Sequence, residues 1–189
     1  YLPLQQALNK IGTPTTTVPL RIRDWLPTLG GRSMVPILRQ LNRTVNAALI
    51  DNSSQKINLI GHSAGGWISR IYMGEIPYTI YGDVTASAVG LWNARAKIAT
   101  LITLGTPQIS CEKLTNKNLD FVNDNYPGAF YPEVRYICVA GKSIYGKKRF
   151  GHCLAYSSYQ MICGVGNTWG DGITPVTAAH LAGAMNITI

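Results

Sequence analysis

The sequence predicts an α/β chain, a three-layer sandwich around a mostly parallel sheet. Three observations carry this. Apolar runs of strand length at 57–60, 98–104 and 134–140 alternate with segments of helical spacing, as expected where a sheet is buried on both faces. The first run breaks into Gly61-His62-Ser63-Ala64-Gly65, and Trp67, Ile68, Ile71 and Tyr72 then follow at helical intervals, which makes a strand-turn-helix junction. Finally, 189 residues that are 46% hydrophobic and 14% charged supply one sizeable core, so residues 1–189 are read as a single domain.

The elements follow in order. Residues 2–11 predict a short amphipathic helix with Pro3 near its start, Gly12 just past its end, and Leu4, Ala7 and Leu8 facing inward. Residues 15–20 read as a strand and 21–32 as a loop. In 35–50, Ile37, Leu41, Val45 and Leu49 recur every four residues, the stripe of a helix packed on a sheet. An irregular excursion over 75–95 leads to the strand at 98–104. The segment 107–132 mixes aromatic and asparagine residues, and 134–140 is a further strand. Thr174-Pro175 opens a helix that runs to Ala182 and is closed by Gly183, and 186–189 begins a last strand. No internal repeat is present, and no run of about 18 apolar residues could span a membrane.

The junction at 61–65 is a G-x-S-x-G turn, in which a strained serine is presented at the top of a sheet with small residues two before and two after it. Ser63 is therefore the candidate nucleophile. A serine of this kind needs a base to take its proton and an acid to orient that base, in the chain order Ser, Asp or Glu, His. Asp171, flanked by Gly170 and Gly172 downstream of the 134–140 strand, is the best acid, although D-G is also an ordinary turn dipeptide. Asp83, Asp120 and Asp124 are weaker candidates because they precede that strand. The base is harder to place. His62 adjoins the serine and is expected to pack or hydrogen-bond beneath the turn. His152 precedes Asp171, and His180 follows it but falls inside the predicted helix. His180 is the candidate within these residues, and the alternative is a base beyond Ile189. The backbone N–H of Ala64, the residue after the nucleophile, is the candidate oxyanion donor.

Cys111, Cys138, Cys153 and Cys163 follow no metal-ligand spacing, and no metal or organic cofactor is implied. Cys138 lies in an apolar strand and reads as a buried thiol. Cys153 and Cys163 are close enough in sequence to bridge a loop. The net charge of +8 is concentrated at Arg21/Arg23, Arg95/Lys97 and 142–149. That balance describes either a solvated face or attraction to an anionic lipid surface. Nucleic acid is disfavoured, since no binding motif with interleaved aromatics accompanies the charge.

Four stretches together resemble α/β-hydrolases of the lipase type: Gly-His-Ser-Ala-Gly-Gly-Trp at 61–67, Thr-Leu-Gly-Thr-Pro at 103–107, residues 118–131, and Trp-Gly-Asp-Gly-Ile-Thr-Pro at 169–175. They are similar to GPI-inositol-deacylase-like and lecithin-cholesterol-acyltransferase-like lipases, and most closely to a group from cyanobacteria and plant or algal plastids. The resemblance implies a plastid or cyanobacterial setting and a soluble or peripheral protein. It also implies a cap over the site at 107–132, where Phe121, Tyr126, Phe130 and Tyr131 line an acyl pocket or else pack the cap on the core. In that family an oxyanion loop precedes the position of Tyr1 and a histidine follows that of Ile189. The fold is accordingly expected to be truncated at both ends, and the 189 residues alone to be nearly inactive. The implied function is cleavage of carboxylic, lipid acyl esters through a serine acyl-enzyme. The alternative is a noncatalytic hydrolase-fold subunit docking to a membrane-associated complex.

Overall fold

The computed structural model describes residues 2–21, 24, 32–51, 56–80, 91–111 and 116–189. The elements are α1 (Leu2–Lys10), α2 (Val35–Asp51), β1 (Ile57–His62), α3 (Ala64–Met73), β2 (Ile98–Leu104), α4 (Asn116–Asn125), β3 (Arg135–Ala140), β4 (Ile144–Tyr145), α5 (Cys153–Cys163), β5 (Trp169–Gly170), α6 (Val176–Ala179) and β6 (Met185–Thr188). Strands β1, β2, β3 and β6 form one sheet in that order, every pair parallel. A separate antiparallel pair joins β4 to β5. The α/β class with a mostly parallel sheet is thus observed. Among the described residues, no helix is long and apolar enough to cross a membrane.

The sheet is central because its middle strands are almost wholly apolar. Ile98 and Leu101 of β2 and Cys138 of β3 are fully buried, as strands covered on both faces require. Helix α2 buries Ile37, Leu38, Leu41 and Val45, close to the stripe read from the sequence. Helix α3 is buried from Gly66 to Met73. Parallel register aligns the carboxyl ends of the strands, with His62 opposite Leu104, Leu104 opposite Val139, and Ala140 opposite Thr188. Ser63 follows β1 at that rim, and Asp171 lies beside Gly105 and Gly141 there.

Several local expectations are corrected. Helix α1 forms and closes at Gly12 (φ +80°), with the Thr13 N–H donating to the Leu8 carbonyl. This is a glycine-capped helix end, but the helix buries none of its residues. Residues 15–20 form no strand and belong to neither sheet. Pro14 and Pro19 have no N–H to give a ladder, and the Thr15 backbone is held by Asn9 and Gln5 of α1 instead. The helix expected up to Ala182 stops at Ala179, and His180 continues in extended conformation (φ −84°, ψ 147°). Residues 153–163 form helix α5, so Cys153 and Cys163 stand at opposite ends of a rod about 15 Å long. A disulfide cannot span that separation, and both thiols are free.

Candidate active site

Ser63 sits between β1 and α3 at φ 51°, ψ −128°, a conformation that costs a non-glycine residue about 1–3 kcal/mol. The surroundings hold it there. The Ser63 N–H donates to the Leu104 carbonyl of β2 (3.0 Å), and the Gly66 N–H donates to the Ser63 carbonyl (3.2 Å). A Cβ on Gly61 would lie 2.6 Å from backbone atoms of Gly65 and Gly66, so the turn closes only with glycine at 61. The second tight position is Gly66, packed on the Thr106 side chain; a Cβ on Gly65 would meet nothing within 4 Å. The steric demand on the helix side therefore falls one residue later than the motif suggests. Ser63 is half-buried, and the Ala64 N–H opens the first turn of α3, where N–H groups lack intrahelical partners and favour developing negative charge.

Asp171 follows β5 and lies beside the carboxyl ends of β2 and β3. A Cβ on Gly105, the residue after β2, would lie 2.8 Å from Asp171 Oδ2, and one on Gly141, the residue after β3, would lie 2.9 Å from Asp171 Cβ. The carboxylate is divided in its duties. Oδ1 accepts from the N–H groups of Ile173 (2.8 Å) and Thr174 (2.7 Å), which fixes the side chain and leaves Oδ2 toward the rim. The turn is anchored from below by Tyr159 of α5, which is fully buried. Its hydroxyl donates to the Ile144 carbonyl (3.0 Å) and accepts from the Gly172 N–H (2.7 Å).

Gly105 and Thr106 connect the two loops. The Thr174 hydroxyl donates to the Gly105 carbonyl (3.0 Å), tying the Asp171 turn to the end of β2. Thr106 is fully buried under Gly66, and its hydroxyl donates to the Gly61 carbonyl (3.5 Å). Two consecutive residues thus grip the Ser63 turn on one side and the Asp171 turn on the other. The Leu-Gly-Thr-Pro motif pointed to this place. The roles of Gly105, Thr106 and Tyr159 depend on partners distant in sequence and were not readable from the chain.

The histidines are placed differently. His62 is exposed at the end of β1 rather than tucked beneath the turn. His152 is exposed, and its Nδ1 lies 3.0 Å from the Tyr145 carbonyl; a carbonyl only accepts, so Nδ1 carries the proton. His180 Nε2 lies 3.2 Å from the Thr188 hydroxyl at the carboxyl end of β6. That strand is three places from β1 in the sheet, about 14 Å at the usual strand spacing. Of the other carboxylates, Asp120 and Asp124 are exposed on α4, and Asp83 lies outside the described residues.

The rings expected in an acyl pocket form a packed cluster. Tyr126 is buried, with Phe121, Phe130 and Tyr131 at centroid distances of 6.3, 5.4 and 5.9 Å. Its hydroxyl accepts from the Ile76 N–H (2.7 Å) and closes on Gly74 at the end of α3. That end is about 15 Å along the helix from Ser63, so these contacts pack the rings on the far end of α3. Arg70 of α3, 2% exposed, fastens the same segment by donating to Gln108 Oε1 (2.9 Å) and to the Tyr126 carbonyl (2.7 Å). Burial lowers its pKa to about 10, which leaves it charged at neutral pH.

No protein-family model matches the chain, and no curated protein matches it in sequence. Solved structures do match. The mature form of the Bacillus licheniformis lipase BlEst2 is similar with a TM-score of 0.54 and 20% identity, over 82% of this chain and 66% of that one. Its propeptide form is similar with a TM-score of 0.54 and 17% identity, over 83% of this chain and 36% of that one. The chain therefore spans just under two thirds of the mature lipase. At this identity the likeness establishes the fold: this chain has an α/β-hydrolase-like architecture of the kind seen in that lipase.

Proposed function

We propose that the chain carries the nucleophile and acid of a serine hydrolase acting on carboxylic esters, with lipid acyl esters as the substrate class. Ser63 Oγ attacks the ester carbonyl as an imidazole takes its proton, and the Ala64 N–H receives the developing oxyanion. The alcohol leaves with that proton, and water then releases the acid from the acyl-serine by the same route. Asp171 orients the imidazole through Oδ2, since Oδ1 is already engaged by two backbone N–H groups.

The observation that carries the reading is the pairing of a strained serine with a pre-oriented carboxylate through Gly105 and Thr106. Backbone strain held by fitted glycines at the mouth of a parallel sheet is a feature of functional sites. The ring of His180 is engaged with Thr188 and that of His152 with Tyr145, so we assign the base to neither of them. The likeness to a lipase supports ester chemistry on this architecture.

Hydrolysis of p-nitrophenyl esters by the full-length protein is the test. Ser63→Ala is expected to lower kcat by about 10⁶ and Asp171→Asn by about 10⁴, with both variants folded. Wild-type turnover that survives Ser63→Ala would refute the assignment. A folded full-length protein inert toward every ester tried would favour the noncatalytic subunit.

A further inference from the structure

The module that supports Asp171 also carries an unusual surface. Glu133 and Asp171 are the only acidic residues from 133 to 189, whereas Arg135, Lys142, Lys147, Lys148 and Arg149 all fall between them. Glu133 is taken up in an ion pair with Arg95. Lys142, Lys147 and Lys148 lie instead over the rings of Trp169, Tyr145 and Tyr156, at 5.8, 5.5 and 5.2 Å from the centroids. Their charge is therefore gathered beside aromatic rings without being neutralised.

Large apolar side chains stand exposed in the same module. Phe150 is 99% exposed in the turn between β4 and α5, Leu154 in the first turn of α5 is 83% exposed, and Ile173 is 66% exposed. Ser158, one helical turn beyond Leu154, donates to the Ile173 carbonyl (2.7 Å), which places Ile173 against that helix face. The Ile173 N–H in turn donates to Asp171, so the apolar strip reaches the rim of the proposed site. Loop 147–152 contributes to two adjoining shallow grooves, Lys147 and His152 to one and Lys148, Arg149 and Phe150 to the other.

We infer that loop 147–152 and the start of α5 form a docking surface for an anionic lipid bilayer, with Phe150 and Leu154 entering the interface and the basic side chains meeting the headgroups. A fully exposed phenylalanine beside basic side chains fits this occupant better than nucleic acid, because an anionic bilayer takes up the ring in its apolar boundary while its headgroups meet the charge. The surface stands independently of the hydrolase reading. Delivery of lipid ester to Ser63 from that surface rests on it.

Sedimentation of the full-length protein with phosphatidylcholine vesicles, with and without phosphatidylglycerol, tests the contact. Binding should require the anionic lipid and weaken with salt. It should fall about ten-fold in Phe150→Ser and about thirty-fold in the double variant Lys147→Gln/Lys148→Gln. Ser63→Ala should bind as wild type, so loss of ester cleavage without loss of binding separates the two claims. Equal binding to neutral vesicles, unchanged binding in either surface variant, or binding to duplex DNA in place of vesicles would overturn the inference.

Discussion

Ser63 and Asp171 are held by different physical means, and this decides what each tolerates. Ser63 keeps a strained backbone because the next turn of helix closes on Gly61. Ala at 61 forces backbone atoms apart and should destabilise the fold by about 1–3 kcal/mol. Ala at 65 meets open space and should leave stability unchanged or raise it by up to about 1 kcal/mol, since alanine is the better helix former. Thermal unfolding of the two variants checks this contrast, and a reversal would mean the turn closes through Gly65. Cys138 offers a second check at this scale. It is fully buried and burial pushes its thiol pKa up, while Cys153 is exposed. Iodoacetamide should alkylate Cys153 in the native protein and reach Cys138 only after unfolding, as peptide mapping would record.

Among the elements, the Asp171 turn depends on α5 through the Tyr159 hydroxyl, which serves both the Ile144 carbonyl and the Gly172 N–H. Tyr159→Phe should cost about 1–3 kcal/mol of stability. On the proposed function it should lower kcat with little change in KM, because a looser turn misaims the acid; a change in KM alone would contradict the positioning role. This dependence was not legible beforehand. Helix α5 went unread because its cysteines suggested a bridged loop, although Ala155, Tyr159 and Ile162 carry the spacing of a buried helical face. The strands were more legible: β2 has the bounds read from its apolar run, since a strand buried on both faces leaves an uninterrupted apolar signature. Residues 15–20 misled for the opposite reason. β-branched composition suggested a strand, and the prolines at 14 and 19 removed the donors that one needs.

At the scale of the whole molecule, the buried Arg70 joins α3 to the segment that follows β2. Arg70→Ala would strand the Gln108 side chain and the Tyr126 carbonyl without their donor. The loss is expected at about 2–4 kcal/mol by chemical denaturation, and an unchanged midpoint would show that the two parts hold together without it. The parallel architecture was readable because strand-helix alternation constrains topology. The turn bearing Ser63 was readable too, because a glycine-bracketed turn between an apolar strand and a helix is a local signal. The contacts that make the Ser63 and Asp171 loops one site were not readable, since Gly105, Thr106 and Tyr159 act through neighbours brought close only by folding.

The central claim is that Ser63 is an activated nucleophile and that Asp171, beside the end of β2, is the acid that serves it. Its most direct test is reaction of the full-length protein with a fluorophosphonate probe, followed by peptide mapping of the adduct. The account predicts a single adduct on Ser63, absent in Ser63→Ala and formed far more slowly in Asp171→Asn. An adduct on another serine, or labelling of Ser63 at the same rate in Asp171→Asn, would contradict it.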